Sequence, residues 1–207
     1  MTLNPGDAQR LEECLNKGGV VIFPADTVYG IGCDPQNRAA VERMYALKGR
    51  PAKRPAAVMF FSLGAALEAL PELHERERTA MSRLLPGPLT LLLPNRSHRF
   101  PLACGPDPNT LGVRVPLLEG ALMPLRAVGV PVVQSSANLS GEADVRWLAD
   151  VPIALRDGAD LVLDGGELPG TASTVLDLRG YEERGEWSVV RDGPVGAEEV
   201  ERALDPC

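Results

Sequence analysis

Four polar residues in two short segments of this chain have the types and spacing of an anion-binding site. Lys48 and Arg50 flank a glycine, whose missing side chain lets backbone approach a ligand closely. Ser136 and Asn138, far away in the sequence, flank an alanine just after a short apolar strand. Cations, hydroxyls and amides at the end of a strand are common phosphate contacts. Together the two segments predict one site for a phosphorylated ligand, although each alone is weak evidence.

The cations around Lys48 also have a simpler interpretation. A helix favours cations in its last turn, a glycine just past its end and a proline soon after, so residues 48–51 could be only a helix stop. Lys53 and Arg54 follow at once, which brings four cations into seven residues. That density favours a polyphosphate as the ligand.

Arg114 is harder to explain by the fold alone. It stands among β-branched residues in the predicted strand 111–115, and a charge that points off a strand into the fold needs a partner. A ligand carboxylate bound by two hydrogen bonds would serve, and so would an ion pair with an acid of this chain. Gln134 lies on the same side of its strand as Ser136, so both can face one cavity.

Further polar residues stand at strand ends. Residues 24–33 follow an apolar strand and read as a loop, in which Thr27 and Tyr29 alternate with apolar residues and two glycines permit unusual backbone angles. Loops at the carboxyl ends of strands bind ligands in α/β sheets, although an ordinary strand–loop–strand with a packed tyrosine is the simpler interpretation. Ser173 and Arg191 lie at the beginning and the end of predicted strands, where a cap or an exposed strand end is the alternative.

The composition is that of an ordinary globular protein. The 207 residues are 44% hydrophobic and 24% charged, which suffices for the core of one sizeable domain. A net charge of −7 argues against a surface that coats nucleic acid, without excluding a local basic cleft. No apolar run approaches the ~20 residues of a membrane span, and the first residues lack the pattern of a signal peptide. We therefore expect a cytoplasmic protein without membrane attachment.

Histidine and cysteine contribute little to the expected chemistry. The four cysteines contain no Cys-x-x-Cys pair, so neither a zinc site nor a disulfide framework is predicted. The two histidines, His74 and His98, lie in charged or polar segments, which predicts exposed side chains. We therefore expect no side-chain metal site, and catalysis by charge placement and substrate positioning.

Apolar and polar residues alternate along the chain with the periods of helices and strands. The pattern predicts helices at about 6–17, 37–48, 63–70, 72–84, 117–127, 150–156 and 197–204. It predicts strands at about 20–23, 56–61, 89–93, 111–115, 130–134, 160–163, 173–178 and 187–191. Since no repeat, linker or shift in composition divides the chain, we expect one α/β domain over residues 1–207.

Six segments together carry a family resemblance, at residues 24–32, 48–51, 86–90, 113–116, 136–141 and 173–178. In order and spacing they resemble the YrdC family of threonylcarbamoyl-AMP synthases. The paired Lys-x-Arg and Ser-x-Asn segments help to separate these synthases from YciO-like relatives. The match covers nearly the whole chain, which is similar to the short single-domain form of the family. The resemblance implies a twisted mixed sheet flanked by helices, with a large central cleft.

The resemblance also implies a reaction. Family members combine L-threonine, bicarbonate and ATP into L-threonylcarbamoyl-AMP and pyrophosphate, the first step of the N6-threonylcarbamoyl modification of adenosine 37 in tRNA. The implied partners are these small molecules and the downstream proteins that transfer the threonylcarbamoyl group to tRNA, and weak tRNA binding is possible. Mg²⁺ is expected, held mainly through the phosphates, because no dedicated carboxylate cage is visible.

The matched segments assign roles to individual residues. The resemblance implies that the catalytic, phosphate-binding group consists of Lys48, Arg50, Ser136 and Asn138. It implies further ATP contacts from Arg54, Thr110 and Arg191, and a threonine pocket that contains Thr27, Arg114 and Ser173. Gln134 joins that pocket on geometry alone.

Four positions depart from the family pattern. Ala25 stands where a threonine is frequent, and Met59 and Gln134 occupy pocket positions that usually hold other residues. Asp192 replaces the proline of the common Arg-Pro-Gly ending. Asp192 matters most, because an acid beside Arg191 could draw its guanidinium away from a phosphate.

Two other functions stay open. A YrdC-like domain could act chiefly as an RNA-binding module, although the net charge of −7 and the absence of an aromatic platform count against this. The second is carbamoyl chemistry like that of the related domain in hydrogenase maturation. We expect the zinc-finger and accessory domains found with that domain to be absent.

Overall fold

The computed structural model describes residues 3–51 and 54–205, so the predicted cation Lys53 and the cysteine at 207 lie outside the described residues. The helices are α1 (Pro5–Asn16), α2 (Arg38–Leu47), α3 (Leu63–Ala69), α4 (Glu75–Leu84), α5 (Ile153–Gly158), α6 (Tyr181–Arg184) and α7 (Ala197–Leu204). Two 3₁₀ segments occur at Gly120–Ala127 and Leu148–Asp150. The strands are β1 (Val21–Pro24), β2 (Tyr29–Cys33), β3 (Ala57–Met59), β4 (Leu89–Pro94), β5 (Thr110–Arg114), β6 (Val132–Ser136), β7 (Leu161–Val162), β8 (Thr174–Asp177) and β9 (Ser188–Arg191). None of the helices in the described ranges is long and apolar enough to cross a membrane.

The strands form one twisted mixed sheet. Across the described residues its order is β7-β1-β2-β6-β3-β5-β4-β8-β9. The pairs β1–β7, β3–β5 and β4–β8 are parallel, and the other neighbours are antiparallel. The predicted fold class, an α/β protein with a mixed sheet flanked by helices, is confirmed.

Strand residues alternate between a packed face and an open face of the sheet, because successive side chains of a strand point in opposite directions. On β5, Leu111 and Val113 are buried in the core, whereas Thr110, Gly112 and Arg114 line a cavity. Strand β4 alternates in the same way. The cavity therefore has a regular sheet as its floor.

Helix α2 positions the segment that contains Lys48. Asn37 caps the beginning of the helix by accepting a hydrogen bond from the backbone N–H of Ala40 at 3.1 Å. The helix ends at Lys48, and Gly49 follows with a φ of 58°, a left-handed conformation that favours glycine. The predicted helix stop is confirmed, and it brings Lys48 to the wall of the cavity.

Residues 29–33 form strand β2, so the prediction of a loop throughout 24–33 is wrong. A Cβ atom on Gly32 would lie 2.4 Å from Cγ1 of Val132 and 2.8 Å from the carbonyl oxygen of Val133 on β6. Neither Gly30 nor Gly32 has a positive φ, so the two glycines do not serve unusual backbone angles. Gly32 instead allows close approach of β6, a partner that local sequence cannot reveal.

Proline accounts for two further differences from the predicted elements. The predicted helix 117–127 is a 3₁₀ segment that begins at residue 120 and contains Pro124, which has no N–H for a helical hydrogen bond. The predicted helix 150–156 is divided into a 3₁₀ segment and α5, and Pro152 stands between them. Helix α6, of four residues, is not predicted by the sequence.

Tyr29 is fully buried, as the alternative interpretation of its segment predicts. Its hydroxyl lies 2.8 Å from the carbonyl oxygen of Gly166 and 3.0 Å from Oδ1 of Asp164, and accepts a hydrogen bond from the N–H of Gly165 at 3.1 Å. Burial raises the pKa of the tyrosine to about 12. The hydroxyl therefore stays protonated and ties β2 to residues 164–166.

Replacing Tyr29 with Phe should lower the free energy of unfolding by about 1–3 kcal/mol, because the N–H of Gly165 loses its acceptor. Chemical denaturation followed by circular dichroism measures this change. Tyr181→Phe is the matched control, since that hydroxyl donates over a longer 3.3 Å to the carbonyl of Leu204 in a half-buried setting. Equal losses in the two variants would contradict this role of Tyr29.

Candidate active site

A cavity of about 670 Å³ lies on the open face of the sheet. Its volume is within the range of pockets that bind small molecules and cofactors. With the exception of Thr27, all of the site residues that the sequence predicts line it: Lys48, Arg50, Arg54, Thr110, Arg114, Gln134, Ser136, Asn138, Ser173 and Arg191. Thr27 is buried, is not part of the lining and contacts Arg114.

Lys48 joins the two segments with which the sequence predicts an anion site. Its side chain is 1% exposed, and its Nζ atom donates to the carbonyl oxygens of Ser136 and Asn138, the latter at 2.6 Å. A third hydrogen bond goes to Oδ1 of Asn138 at 3.2 Å. Because an ammonium group has three N–H donors, these three acceptors use all of them. Lys48 therefore holds the loop after β6 as well as adding positive charge to the cavity.

Internal hydrogen bonds fix the shape of that loop. The Ser136 hydroxyl donates to Oδ1 of Asn138 at 2.6 Å, and Nδ2 of Asn138 donates to the carbonyl oxygen of Glu142 at 2.5 Å. The backbone N–H of Ser140 donates to the carbonyl oxygen of Lys48 at 3.1 Å. The wall formed by the loop is thus pre-organised around Lys48.

The surroundings of Lys48 weaken its hold on a proton. Burial above all, together with the positive charges of Arg50 and Arg54, lowers its pKa to about 8 against the opposing effect of Asp144. Lysine in water has a pKa of about 10.4, so near neutral pH this ammonium is close to its titration range.

Arg50 presents a guanidinium group to the cavity from beside Lys48. Its Nη1 donates to the hydroxyl of Ser135 at 3.2 Å, its Nη2 donates to the carbonyl oxygen of Pro55, and the group lies 5.7 Å from the ring centre of Tyr45. Burial lowers the pKa of Arg50, and its Nε is buried without a hydrogen-bond partner among the described residues. Arg54, which is exposed, lines the same side of the cavity.

Arg114 forms the ion pair that the sequence leaves open as an alternative. The side chain is 3% exposed at the end of β5, and Nη2 donates to Oδ1 of Asp26 and to the hydroxyl of Thr27 at 2.5 Å. The other oxygen of Asp26 accepts from the backbone N–H of Leu117 at 2.9 Å. The Nε atom of Arg114 is buried, and no residue of the described chain accepts from it. The guanidinium is thus held by Asp26 and Thr27, which are not part of the lining, while Arg114 itself lines the cavity.

A cluster of hydroxyl groups stands beside Arg114. The hydroxyls of Ser173 and Thr90 lie 2.8 Å apart, and both residues are buried. Arg191 donates through Nη2 to the carbonyl oxygen of Ser173 at 2.7 Å and to its hydroxyl at 3.2 Å. The guanidinium of Arg191 therefore donates its hydrogen bonds to Ser173 and not to Asp192.

Ala25 and Met59, two of the positions that depart from the family pattern, lie in the core. Met59 is 0% exposed and Ala25 is 1% exposed, and neither lines the cavity. Met59 pairs in register with Arg114 across β3 and β5. The prediction that Met59 occupies a pocket position is therefore wrong, whereas Gln134 does line the cavity.

The sequence does not predict three charged residues that line the cavity, namely Asp107, Arg179 and Asp144. The Thr110 hydroxyl donates to Oδ2 of Asp107 at 2.6 Å and accepts from Nη1 of Arg179 at 3.2 Å. Nε of Arg179 in turn donates to Oδ1 of Asp177 at 2.9 Å. A charged residue just after a strand was the available signal for Arg179. Asp144, which also lines the cavity, lies in a loop without such a signal.

The cavity is rich in positive charge although the chain as a whole is acidic, with a net charge of −7. Among the described residues that line it, the cations are Lys48, Arg50, Arg54, Arg114, Arg179 and Arg191, and the acids are Asp107, Glu142 and Asp144. An excess of one sign in a cleft with low-dielectric walls concentrates the field there. The cavity therefore favours an anionic ligand.

Both histidines are exposed, as the sequence predicts. His74, Glu77 and Glu182 have atoms close enough to one another to hold a metal ion, but Glu77 already accepts two hydrogen bonds of 2.9 Å from Arg96. None of these residues lines the cavity.

Comparison with known proteins identifies relatives over most of the chain. The Sua5/YciO/YrdC family model, described as telomere recombination, matches residues 13–193. Threonylcarbamoyl-AMP synthases of Pyrococcus abyssi and Bacillus subtilis are 33% and 31% identical over 193 residues, 92% and 93% of this chain. The chain spans 55% of the length of each of these relatives. The threonylcarbamoyl-AMP synthase of Idiomarina loihiensis is 33% identical over 72% of this chain and 80% of its own length.

Solved structures agree with this result. The P. abyssi Sua5 structure complexed with L-threonine superposes with a TM-score of 0.83 at 30% identity, over 98% of this chain and 58% of that one. Escherichia coli YciO shares the fold, with a TM-score of 0.75 at 24% identity over 95% of this chain and 94% of that one. From the sequence match and the shared architecture, the chain belongs to the Sua5/YciO/YrdC family.

Proposed function

We propose that this chain is a threonylcarbamoyl-AMP synthase, which combines L-threonine, bicarbonate and ATP into L-threonylcarbamoyl-AMP and pyrophosphate. The observation that carries the proposal is a single cavity with two groups of anion-binding residues. Lys48, Arg50, Ser136 and Asn138 form one group, and Arg114, Ser173 and Arg191 lie in the other. The curated relatives at 31–33% identity are named threonylcarbamoyl-AMP synthases, and a related structure holds L-threonine, which supports the same conclusion.

Strand β5 supports this division of the cavity. The register through β3 aligns the start of β5, at Thr110, with the end of β6, at Ser136. The register through β4 brings the end of β5, at Arg114, near the start of β8, which follows Ser173. Four residues of a strand span about 13 Å, at roughly 3.3 Å per residue. That length accommodates an amino acid next to the phosphates of a nucleotide.

At the threonine end, Arg114 binds the substrate carboxylate in this proposal. Its ion pair with Asp26 and its contact with Thr27 fix the guanidinium plane, and the unpartnered Nε leaves hydrogen-bonding capacity for a ligand. A carboxylate matches the geometry of a guanidinium group. Thr27 then acts by holding Arg114, while Ser173 and Gln134 complete the pocket.

At the nucleotide end, the phosphates lie against Arg50, Arg54 and the loop that begins at Ser136. Lys48 contributes charge and holds this loop. Thr110 adds a contact from the same end of the cavity, and Arg191 adds one from the group that contains Arg114. The carbamate formed from threonine and bicarbonate is a weak nucleophile that attacks the α-phosphate in line. The task of the protein is to hold two anions together and to neutralise the leaving pyrophosphate, which cations and hydroxyls can do without histidine.

In this proposal Mg²⁺ binds to the protein together with ATP. Of the acids on the cavity wall, Asp107 is engaged by Thr110, and Glu142 and Asp144 are exposed, so the described residues form no carboxylate cage around a cation. Mg²⁺ would be held mainly through the phosphates, where it screens their charge. The product adenylate would pass to proteins that transfer threonylcarbamoyl to adenosine 37 of tRNA.

Pyrophosphate release from ATP should require both L-threonine and bicarbonate. The assay uses the whole chain with Mg²⁺ and ATP, and omits each of the other substrates in turn. We expect release to fall to background in either omission. Release that is unaffected by removing threonine would refute the synthase. Tight, salt-sensitive tRNA binding without any release would favour an RNA-binding module, and activity with carbamoyl phosphate in place of threonine and bicarbonate would favour the hydrogenase-maturation type of chemistry.

Arg114→Lys and Arg50→Lys should separate the two substrates. Both variants keep the charge but lose the planar fork, so each loses hydrogen bonds to its own anion, and a lost charged hydrogen bond of roughly 1.5–3 kcal/mol corresponds to about tenfold or more in affinity. Arg114→Lys should raise the KM for threonine with little effect on the KM for ATP, and Arg50→Lys should do the reverse. Steady-state kinetics in both substrates gives the answer. Equal increases in both KM values would contradict the assigned division.

The KM for ATP should rise as the pH increases from 7 to 9, because Lys48, with a pKa of about 8, loses its charge. Since the unfolded chain holds this proton more tightly than the folded one, the same shift makes Lys48 favour folding more, not less, as the pH rises from about 8 towards 10.5. The weaker ATP binding is therefore not a consequence of unfolding through Lys48. Lys48→Met is the control, and its KM should be higher at pH 7 but nearly independent of pH. Parallel pH profiles in the two proteins would show that another group titrates.

A further inference from the structure

Tyr45, which the proposed reaction does not use, contacts two of the cations that line the cavity. It lies in the last turn of α2, its side chain is 4% exposed, and it is not part of the cavity lining. The centre of its ring lies 5.7 Å from the guanidinium carbon of Arg50, and its hydroxyl donates to the backbone carbonyl oxygen of Arg54 at 3.1 Å. One buried side chain therefore connects two residues that are proposed to bind phosphate.

The backbone at the end of α2 brings Arg50 over Tyr45. The N–H of Arg50 donates to the carbonyl oxygen of Tyr45 at 2.9 Å, and the N–H of Gly49 donates to that of Ala46 at 3.1 Å. With Gly49 at a φ of 58°, these two bonds form the Schellman pattern of a helix end. The two positions that Tyr45 and Arg50 occupy in this pattern frequently share an apolar contact. Here a guanidinium group over an aromatic ring takes the place of that contact.

The ring of Tyr45 attracts Arg50 in a way that an aliphatic side chain cannot. The face of an aromatic ring carries partial negative charge, and it attracts a cation more strongly where water is excluded. Burial lowers the pKa of Arg50, and its Nε is buried without a hydrogen-bond partner among the described residues. The ring therefore offsets part of the cost of burying this cation and restricts where the guanidinium can lie.

The hydroxyl of Tyr45 has a separate partner. Burial raises the pKa of this tyrosine above its ordinary value, against the opposing charge of Arg50, so the hydroxyl remains a donor. A phenylalanine would fill the same space, but it could not bind the carbonyl oxygen of Arg54. Arg54 is exposed and lies outside any helix or strand. This hydrogen bond, and that of its own N–H to the carbonyl oxygen of Pro51 at 3.0 Å, fix its backbone.

We propose that Tyr45 is a positioning residue for the phosphates: its ring holds the guanidinium of Arg50, its hydroxyl holds the backbone of Arg54, and it does not itself touch the ligand. This inference rests on the proposed function, because it assumes that phosphates lie against Arg50 and Arg54. The two contacts can be removed separately. Tyr45→Phe removes only the hydroxyl, whereas Tyr45→Leu removes the aromatic ring as well.

Isothermal titration calorimetry with inorganic tripolyphosphate and with L-threonine measures the two ends of the cavity separately. We expect tripolyphosphate to bind about threefold weaker to Tyr45→Phe, since a displaced surface cation accounts for roughly this factor. Tyr45→Leu should bind it about tenfold weaker, because the attraction between Arg50 and the ring is lost too. L-Threonine should bind to both variants as to the wild type, which also shows that both are folded.

Double-mutant cycles distinguish positioning from a general loss of packing. In an Arg54→Ala background, Tyr45→Phe should leave the affinity for tripolyphosphate unchanged, because the side chain through which the hydroxyl acts is absent. In an Arg50→Ala background, the difference between Tyr45→Leu and Tyr45→Phe should likewise disappear. A loss that comes only from weaker packing would persist in both backgrounds.

Tyr181 provides the matched control. The guanidinium carbon of Arg76 lies 5.2 Å from the centre of its ring, and its hydroxyl donates to the carbonyl oxygen of Leu204 at 3.3 Å. Tyr181 therefore makes the same two kinds of contact outside the cavity lining. Tyr181→Phe and Tyr181→Leu should bind both ligands as the wild type does.

An undiminished affinity for tripolyphosphate in either Tyr45 variant would overturn the inference, and so would an equal loss of both ligands. The same holds for a loss in Tyr45→Phe that persists without the Arg54 side chain, and for a wild type that binds no tripolyphosphate. If the expected affinities are found in a protein without threonine-dependent release of pyrophosphate, the role of Tyr45 in phosphate binding stands and the synthase is refuted.

Discussion

A buried ammonium group must have its hydrogen-bond donors satisfied, and Lys48 meets this requirement with oxygen atoms of a single loop. Three acceptors from Ser136 and Asn138 surround its Nζ, so the end of α2 and the end of β6 are fixed relative to each other. The carbonyl oxygen of Lys48 binds the same loop through the N–H of Ser140. One wall of the cavity depends on these contacts, since they hold the end of α2 against residues 136–140.

The sheet supplies the remaining geometry. Because strand residues alternate, one sequence can fill a core with Leu111 and Val113 and line a cavity with Thr110 and Arg114. The cavity faces are then assembled from residues two apart on several strands. Positive charge collects on this face of an acidic protein, and each buried cation there is held by fixed partners, as Arg114 is by Asp26 and Thr27. The cost of burying charge is thereby offset before any ligand arrives.

Local signals predict most of the elements. Asn37 as a cap, the apolar period of α2 and the glycine after Lys48 act within a few residues, so the helix from 38 to 47 is readable without tertiary information. Strand β2 cannot be predicted from local sequence. The need for glycine at residue 32 comes from contact with Val132 and Val133, on a strand that lies far away in the chain. Short 3₁₀ segments at prolines are likewise mistaken for helices, since apolar spacing alone does not report a missing backbone N–H.

In the candidate site, too, some features can be predicted from the sequence and others depend on the fold. Residue types in the sequence determined which side chains bring charge and hydrogen-bonding groups to the cavity, because these are properties of the residues themselves. Lys48, Arg50, Ser136, Asn138 and Arg114 are among them. Only the tertiary structure decided which partners these groups bind. Lys48 donates its hydrogen bonds to the loop after β6, Arg114 pairs with Asp26, and Arg179 donates to Thr110 at one corner of the cavity. Partners of this kind come from distant parts of the chain. The physical reason is that a buried polar group is satisfied by whatever the fold brings within about 3 Å of it, and that distance is set by packing, not by sequence separation.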